Sequence, residues 1–304
     1  MLTEEEIKER IIRNDALFSN IFVFQQHFDI VPDKEHFGAS IAYQDIHDLR
    51  DDFIKELIDT VADWVYSAKK FDDMKKAFSV YKTERAAAAE VIRKAKAKFR
   101  LGRKGKILSQ GQIGELLLFH FIQRVLGAVP ILRKMPITTS PNLERFGADA
   151  IHYKVVNGRH HMVLGEAKAY TSKYSFNEAM EDAITSILSS YDNLWNEVHL
   201  YLHEDFLDPE MDEIAELFLN KKLKPVQIDL VCLILYNETV KINETNEEDI
   251  KSQILQIIEK RYGAFDNRKI NIGENQILNR ITYIVFPVWK FDELAGEFEK
   301  QMGE

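Results

Sequence analysis

Two acids and a lysine set the chemistry open to this chain. Asp149, Glu166 and Lys168 lie within one short hydrophobic stretch, residues 146–170, FGADAIHYKVVNGRHHMVLGEAKAY. Carboxylate oxygens are hard ligands, and Mg²⁺ takes one or two of them together with waters and phosphate oxygens. A lysine two residues along from a carboxylate puts a positive charge beside such an ion. In outline this is a metal-dependent site for cleaving phosphodiester bonds.

The stretch reads as an antiparallel hairpin. Asn157-Gly158 is a strong signal for a two-residue turn, because a type I′ turn needs φ > 0 at both central residues. With that turn, Val156 faces Arg159, Tyr153 faces Met162, Ile151 faces Leu164, Asp149 faces Glu166 and Gly147 faces Lys168. Strand side chains alternate, so Asp149, Glu166 and Lys168 are expected on one face of the sheet. Opposed residues have Cβ atoms roughly 4.5–5.5 Å apart, and two carboxylates that close repel unless a cation lies between them. Gly147, lacking a side chain, is expected to leave room beside Lys168 for a phosphate.

Acids on a half-buried strand are usually solvated surface residues. Here the neighbours argue otherwise. Met162, Val163, Leu164 and Ala167 on one strand, with Ala148, Ala150 and Ile151 on the other, surround the charges with apolar groups. That pattern marks a strand pair buried on both faces, where an acid needs a partner.

A helix must precede this sheet. Ser109-Gln110-Gly111-Gln112 fits a capping box, and the run to Leu126 is almost wholly apolar. Glu115 is the one acid in that run. It shares a helical face with Leu118, Phe119 and Ile122, and it sits slightly too deep to be explained by the helix dipole alone. It is the candidate third carboxylate, expected to meet Asp149 and Glu166 in one cavity. His120, in the same helix, reads as a core histidine satisfied by backbone.

These residues resemble a known motif. Asp149, followed after a hairpin by Glu166-Ala167-Lys168, is similar to the signature of the PD-(D/E)XK nuclease superfamily, with Ala148 in place of its proline. The wider stretch from about Gln110 to Tyr191, with GQIGELLLF, RFGADAIHY, VLGEAKAY and SFNEAMEDAI, resembles the HamA family, effector subunits of the Hachiman antiphage system. The resemblance covers the C-terminal two thirds of the chain. It implies a metal-dependent DNA nuclease that uses Mg²⁺ or Mn²⁺. Asp149, Glu166 and the main-chain carbonyl of Ala167 would be ligands, Glu115 a direct or water-mediated one, and Lys168 a catalytic cation. It also implies a helicase partner, HamB, and this chain has no helicase motif of its own. The alternative is a nuclease fold that binds nucleic acid or serves as an adaptor without cutting.

Composition sets further bounds. The chain has 304 residues, 45% hydrophobic, which suffices for a large core. Its single cysteine, Cys232, lies in an apolar run, reads as a buried thiol and suits a reducing cytoplasm. The acidic start MLTEEEIKER does not read as a signal peptide, and no apolar stretch is long enough to span a bilayer. A net charge of −9 argues against a general nucleic-acid binder. The charge is uneven, however: Lys82 to Lys106 is strongly basic, either a solvated helix face or a grip for phosphates. No glycine-rich phosphate loop, CxxC or HExxH arrangement is present, and no Ser–His–Asp order stands out.

Periodicity predicts helices over 3–18, 43–71, 72–99, 109–126, 176–198, 210–220 and 246–262. It predicts strands over 20–31, 129–138, 227–236 and 281–288 besides the hairpin. The fold class is α/β, a mixed central sheet flanked by helices in a restriction-endonuclease-like core. Residues 1–100 are expected to form a mainly helical, partner-binding domain, and 101–304 the nuclease domain.

Overall fold

A strand buried on both faces needs apolar residues at every position, and residues 230–236, LVCLILY, are such a strand. The computed structural model describes residues 2–99, 109–132, 147–171, 176–201, 211–243 and 245–303. The chain begins with two short helices, α1 (Glu4–Arg10) and α2 (Asp15–Ser19), then an antiparallel pair, β1 (Ile21–His27) and β2 (Glu35–Ile41). A small hairpin, β3 (Tyr43–Gln44) with β4 (His47–Asp48), leads to α3 (Arg50–Asp59), α4 (Val61–Val65), α5 (Ala68–Ser79) and α6 (Glu84–Lys96). There follow α7 (Ser109–Leu126), β5 (Val129–Leu132), β6 (Ala150–Val156), β7 (Arg159–Tyr170), α8 (Phe176–Tyr201) and α9 (Asp212–Leu219). The chain closes with β8 (Val226–Glu238), α10 (Glu247–Gly263), β9 (Ile281–Trp289) and α11 (Phe291–Gly303).

Seven strands form one mixed sheet in the order β1-β2-β9-β8-β7-β6-β5. The middle four run parallel, from β2 to β7, and each end is antiparallel. Strand alternation sorts the core into two layers. Leu230, Cys232, Ile234 and Tyr236 of β8 pack with α8, α9 and α10 on one side. Val231, Leu233 and Leu235 pack with α3, α4, α7 and α11 on the other. This is the expected fold class.

The expected boundary near residue 100 does not divide the protein. β2 pairs with β9 at Phe37↔Ile284 and Gly38↔Val285, so the first hundred residues supply two strands of the same sheet. Phe53 of α3 packs against Phe286 of β9, with ring centres 6.1 Å apart. Residues 1–100 are therefore not a mainly helical domain of their own. β2 escapes the sequence reading because EHFGASI has a glycine at its centre. Gly38 is needed there: a Cβ would meet Ile258 of α10 at 2.9 Å.

The helices are shorter than their periodicity suggests, because capping residues interrupt them. Ser67 and Thr83 accept from backbone N–H groups three residues on and start α5 and α6. The predicted helix 3–18 is broken after Arg10, and α11 was not foreseen. No helix of the described residues is long and apolar enough to cross a membrane.

One buried histidine ties the first hundred residues to the sheet. His36 has no exposed surface. Tyr283 donates its N–H to His36 Nδ1 at 3.2 Å, so the proton sits on Nε2, which bonds the Pro32 carbonyl at 2.9 Å. Burial pushes the imidazole pKa down to about 4. Between about 4 and 6.5 the unfolded chain therefore binds the proton more readily, and stability rises with pH across that window. The full effect is about 3 kcal/mol. Chemical denaturation from pH 4 to pH 7 should show this rise, and His36→Gln should flatten it while lowering stability at pH 7.

Candidate active site

The Asn157-Gly158 turn forms as expected, with φ of 51° and 73°. It sets the register from Val156↔Arg159 to Ala150↔Gly165. At Asp149 the register changes. The Asp149 N–H donates to the Gly165 carbonyl at 2.9 Å, although Gly165 is already the partner of Ala150. Two residues of one strand thus lie against one residue of the other, which is a β-bulge. Asp149 does not sit squarely opposite Glu166. Its side chain instead carries the pairing on: the Ala167 N–H donates to Asp149 Oδ2 at 2.9 Å.

The chain before Asp149 turns away. Gly147 adopts φ 103°, and a Cβ there would lie 2.3 Å from the Glu197 carboxylate of α8. Glu197 also accepts the Ala148 N–H at 3.1 Å. Gly147 therefore serves the seat of Glu197, and the expected open space beside Lys168 does not follow from it. Glu197 was not singled out in the sequence. Its one trace there is its break with the apolar face of α8, between Leu194 and Val198.

Glu166 and Lys168 project to the layer covered by α8, on the same side as Cys232 and Ile234. Lys168 Nζ lies 2.9 Å from Glu166 Oε1, and only 8% of the Glu166 side chain is exposed. Burial pulls the Lys168 pKa down. The Glu166 carboxylate outweighs it, helped by Asp149 and Asp182, and holds the ammonium above the ordinary lysine value. The three carboxylates thus act on one cation. Tyr170, at the end of β7, donates its hydroxyl to Asp182 of α8. Of the loop after it, 172–175 lies outside the described residues, as does the predicted capping box at Ser175. Cys232 is the expected buried free thiol, and burial and the nearby Glu166 push its pKa up.

Glu115 is placed differently from the expectation. Helix α7 packs on the opposite face of β7. Gly114 abuts Ala167 and Ala169, at 3.4 and 3.5 Å from its notional Cβ, and Leu118 and Ile122 fill the space that a Cβ on Gly165 would take. The helix therefore does not approach the face bearing Glu166 and Lys168. Alternation is the cause: Gly165, Ala167 and Ala169 face α7, while Glu166 and Lys168 face α8. Among the described residues no three acids, histidines or cysteines form a metal-holding group. His120 meets the Asn14 side chain at 2.7 Å, where a backbone partner was expected.

What remains is two carboxylates, a main-chain carbonyl and an ammonium at the point where β6 and β7 part. Hard oxygens of this kind fit Mg²⁺ or Mn²⁺, which complete their shells with water and phosphate. A further buried acid, Glu238 at the end of β8, is structural. Arg261 grips both its oxygens at 2.9 and 2.7 Å, and the N–H groups of Thr239 and Val240 donate to it.

A family model described as HamA matches residues 15–302 of the chain. No curated protein matches it.

Breaking a buried pair leaves one charge uncompensated and costs about 3 kcal/mol. Glu166→Gln should therefore lower stability without added metal, and a second change, Lys168→Met, should restore most of the loss. Thermal denaturation of the two single variants and the double variant checks this. Glu197→Leu should cost about 1–3 kcal/mol by leaving the buried Ala148 N–H without its acceptor, whereas Glu197→Gln keeps an acceptor and should cost less.

Proposed function

The chain belongs to the HamA family, and from that premise and the geometry around Lys168 we propose that it is a metal-dependent deoxyribonuclease. HamA proteins are subunits of the Hachiman antiphage defence system. On this reading the chain is the nuclease effector, and a helicase subunit works with it. The observation that carries the reading is the gathering of the Asp149 and Glu166 carboxylates about one lysine.

Asp149, Glu166 and the Ala167 carbonyl would hold Mg²⁺ or Mn²⁺. When bound, the ion supplies polarisation of a phosphoryl oxygen and a lowered pKa for a coordinated water. Glu115 is left out of its shell, because α7 covers the other face of β7. Lys168, held protonated by its carboxylate neighbours, is a poor base at neutral pH. Its role is electrostatic: it steadies the negative charge that builds on the phosphoryl oxygens. Glu166 orients that ammonium, and the Ala167 N–H fixes the Asp149 carboxylate.

The test is cleavage of plasmid and linear DNA by the purified chain, with and without the helicase subunit, in Mn²⁺ or in EDTA. Cleavage should need the ion. Glu166→Gln and Lys168→Ala should each slow it about 100-fold or more. Wild-type rates in both variants would contradict the assignment. A wild-type chain that never cuts, alone or with its partner, would favour a binding subunit.

A further inference from the structure

The hairpin of α5 and α6 carries charge of opposite sign to the rest of the molecule. Residues 68–99 hold ten Lys and Arg against four Asp and Glu, in a chain of net charge −9. Helix α6 is anchored through Ala87, Val91 and Ala95 and packs on α4, whereas α5 buries no residue and lies along α6. At the tip, Val80 is 84% and Tyr81 69% exposed. Val80 is the most exposed large apolar side chain among the described residues. The Tyr81 ring is braced at right angles by Phe78, with centres 6.2 Å apart, and the Lys94 ammonium lies 5.6 Å from the Phe78 ring centre. Lys76 and Arg85, both exposed, flank the tip on its two helices. Ala86 and Ala89 are exposed beyond Arg85 and leave a low surface there. Lys82 and Arg93 share Glu90.

We propose that this hairpin docks single-stranded nucleic acid, with phosphates on Lys76, Arg85 and their neighbours and an unpaired base stacked on Tyr81. Interleaved cations and an exposed aromatic ring are what such a strand requires, since every base offers a π-face and every nucleotide a charge. A duplex keeps its base faces inside the stack and cannot use the ring. A protein partner fits less well. A stable interface buries about 800 Å² on each side, and the apolar patch here is two residues bounded by charge. The predicted basic stretch was one grip for phosphates. The structure adds the aromatic tip, and residues 100–106 of that stretch lie outside the described residues.

Fluorescence anisotropy with a short labelled oligothymidylate, and with its duplex, tests the proposal on the full chain in EDTA, so that cleavage plays no part. The single strand should bind more tightly than the duplex. Tyr81→Ala should raise Kd for the single strand about tenfold. Lys76→Gln with Arg85→Gln should flatten the slope of log Kd against log salt by about 1.4, at about 0.7 for each lost phosphate contact. All three residues are exposed, so melting temperatures should match wild type. Unchanged binding in these variants overturns the proposal, as does a wild-type chain that binds no oligonucleotide. So does a variant that loses a co-purifying protein subunit yet holds the oligonucleotide normally. Such a result with Mn²⁺-dependent cleavage intact leaves the nuclease reading standing. Binding through the hairpin without any cleavage overturns the nuclease reading alone.

Discussion

The candidate site depends on how three backbone N–H groups are satisfied where β6 stops pairing with β7. Buried N–H groups must find acceptors, and here each finds a different kind. Asp149 gives its N–H to the Gly165 carbonyl, Ala167 gives its own to the Asp149 carboxylate, and Ala148 gives its own to Glu197. The first makes the bulge, the second fixes a candidate ligand by its own backbone neighbour, and the third pulls the incoming chain onto α8. A regular ladder would have used the Ala167 N–H for strand pairing and left Asp149 no such anchor.

The same alternation that builds the core separates two roles on one strand. Gly165, Ala167 and Ala169 are small because α7 lies directly against them. Glu166 and Lys168 share the other face, beneath α8, where each charge has the other as its partner. Their mutual attraction makes this pair stable without an ion, in contrast to the repulsion expected between two opposed acids. An arriving cation would have to compete with Lys168 for Glu166, which ties ion binding to the position of the ammonium.

Much of this was legible in the sequence where the determinants are local. Asn157-Gly158 dictates the turn, and period-two alternation then places Glu166 and Lys168 together. The unbroken apolar run at 230–236 announces a central strand. What was not legible depends on distant partners. The path of the chain into Asp149 is held by Glu197, 49 residues away from Ala148. The side on which α7 docks is hidden because that helix is apolar nearly all round. The alternating small residues Gly165, Ala167 and Ala169 were the available signal, since small side chains on a strand mark close approach of a neighbouring element. The membership of β2 in the sheet was hidden for a related reason: its central glycine answers to Ile258 of α10, not to strand propensity. Removing residues 1–100 would thus strip two strands from the sheet, and a partner contact there is better probed by surface substitutions.

On the proposed function, Asp149 and Glu166 together hold a divalent ion beside Lys168. Calorimetric titration of Mn²⁺ into the purified chain, into Asp149→Asn and into Glu166→Gln tests it most directly. One saturable site is expected in wild type, with a large loss of affinity in each variant. Equal Mn²⁺ binding by all three proteins, or none by a folded wild-type chain, would contradict it.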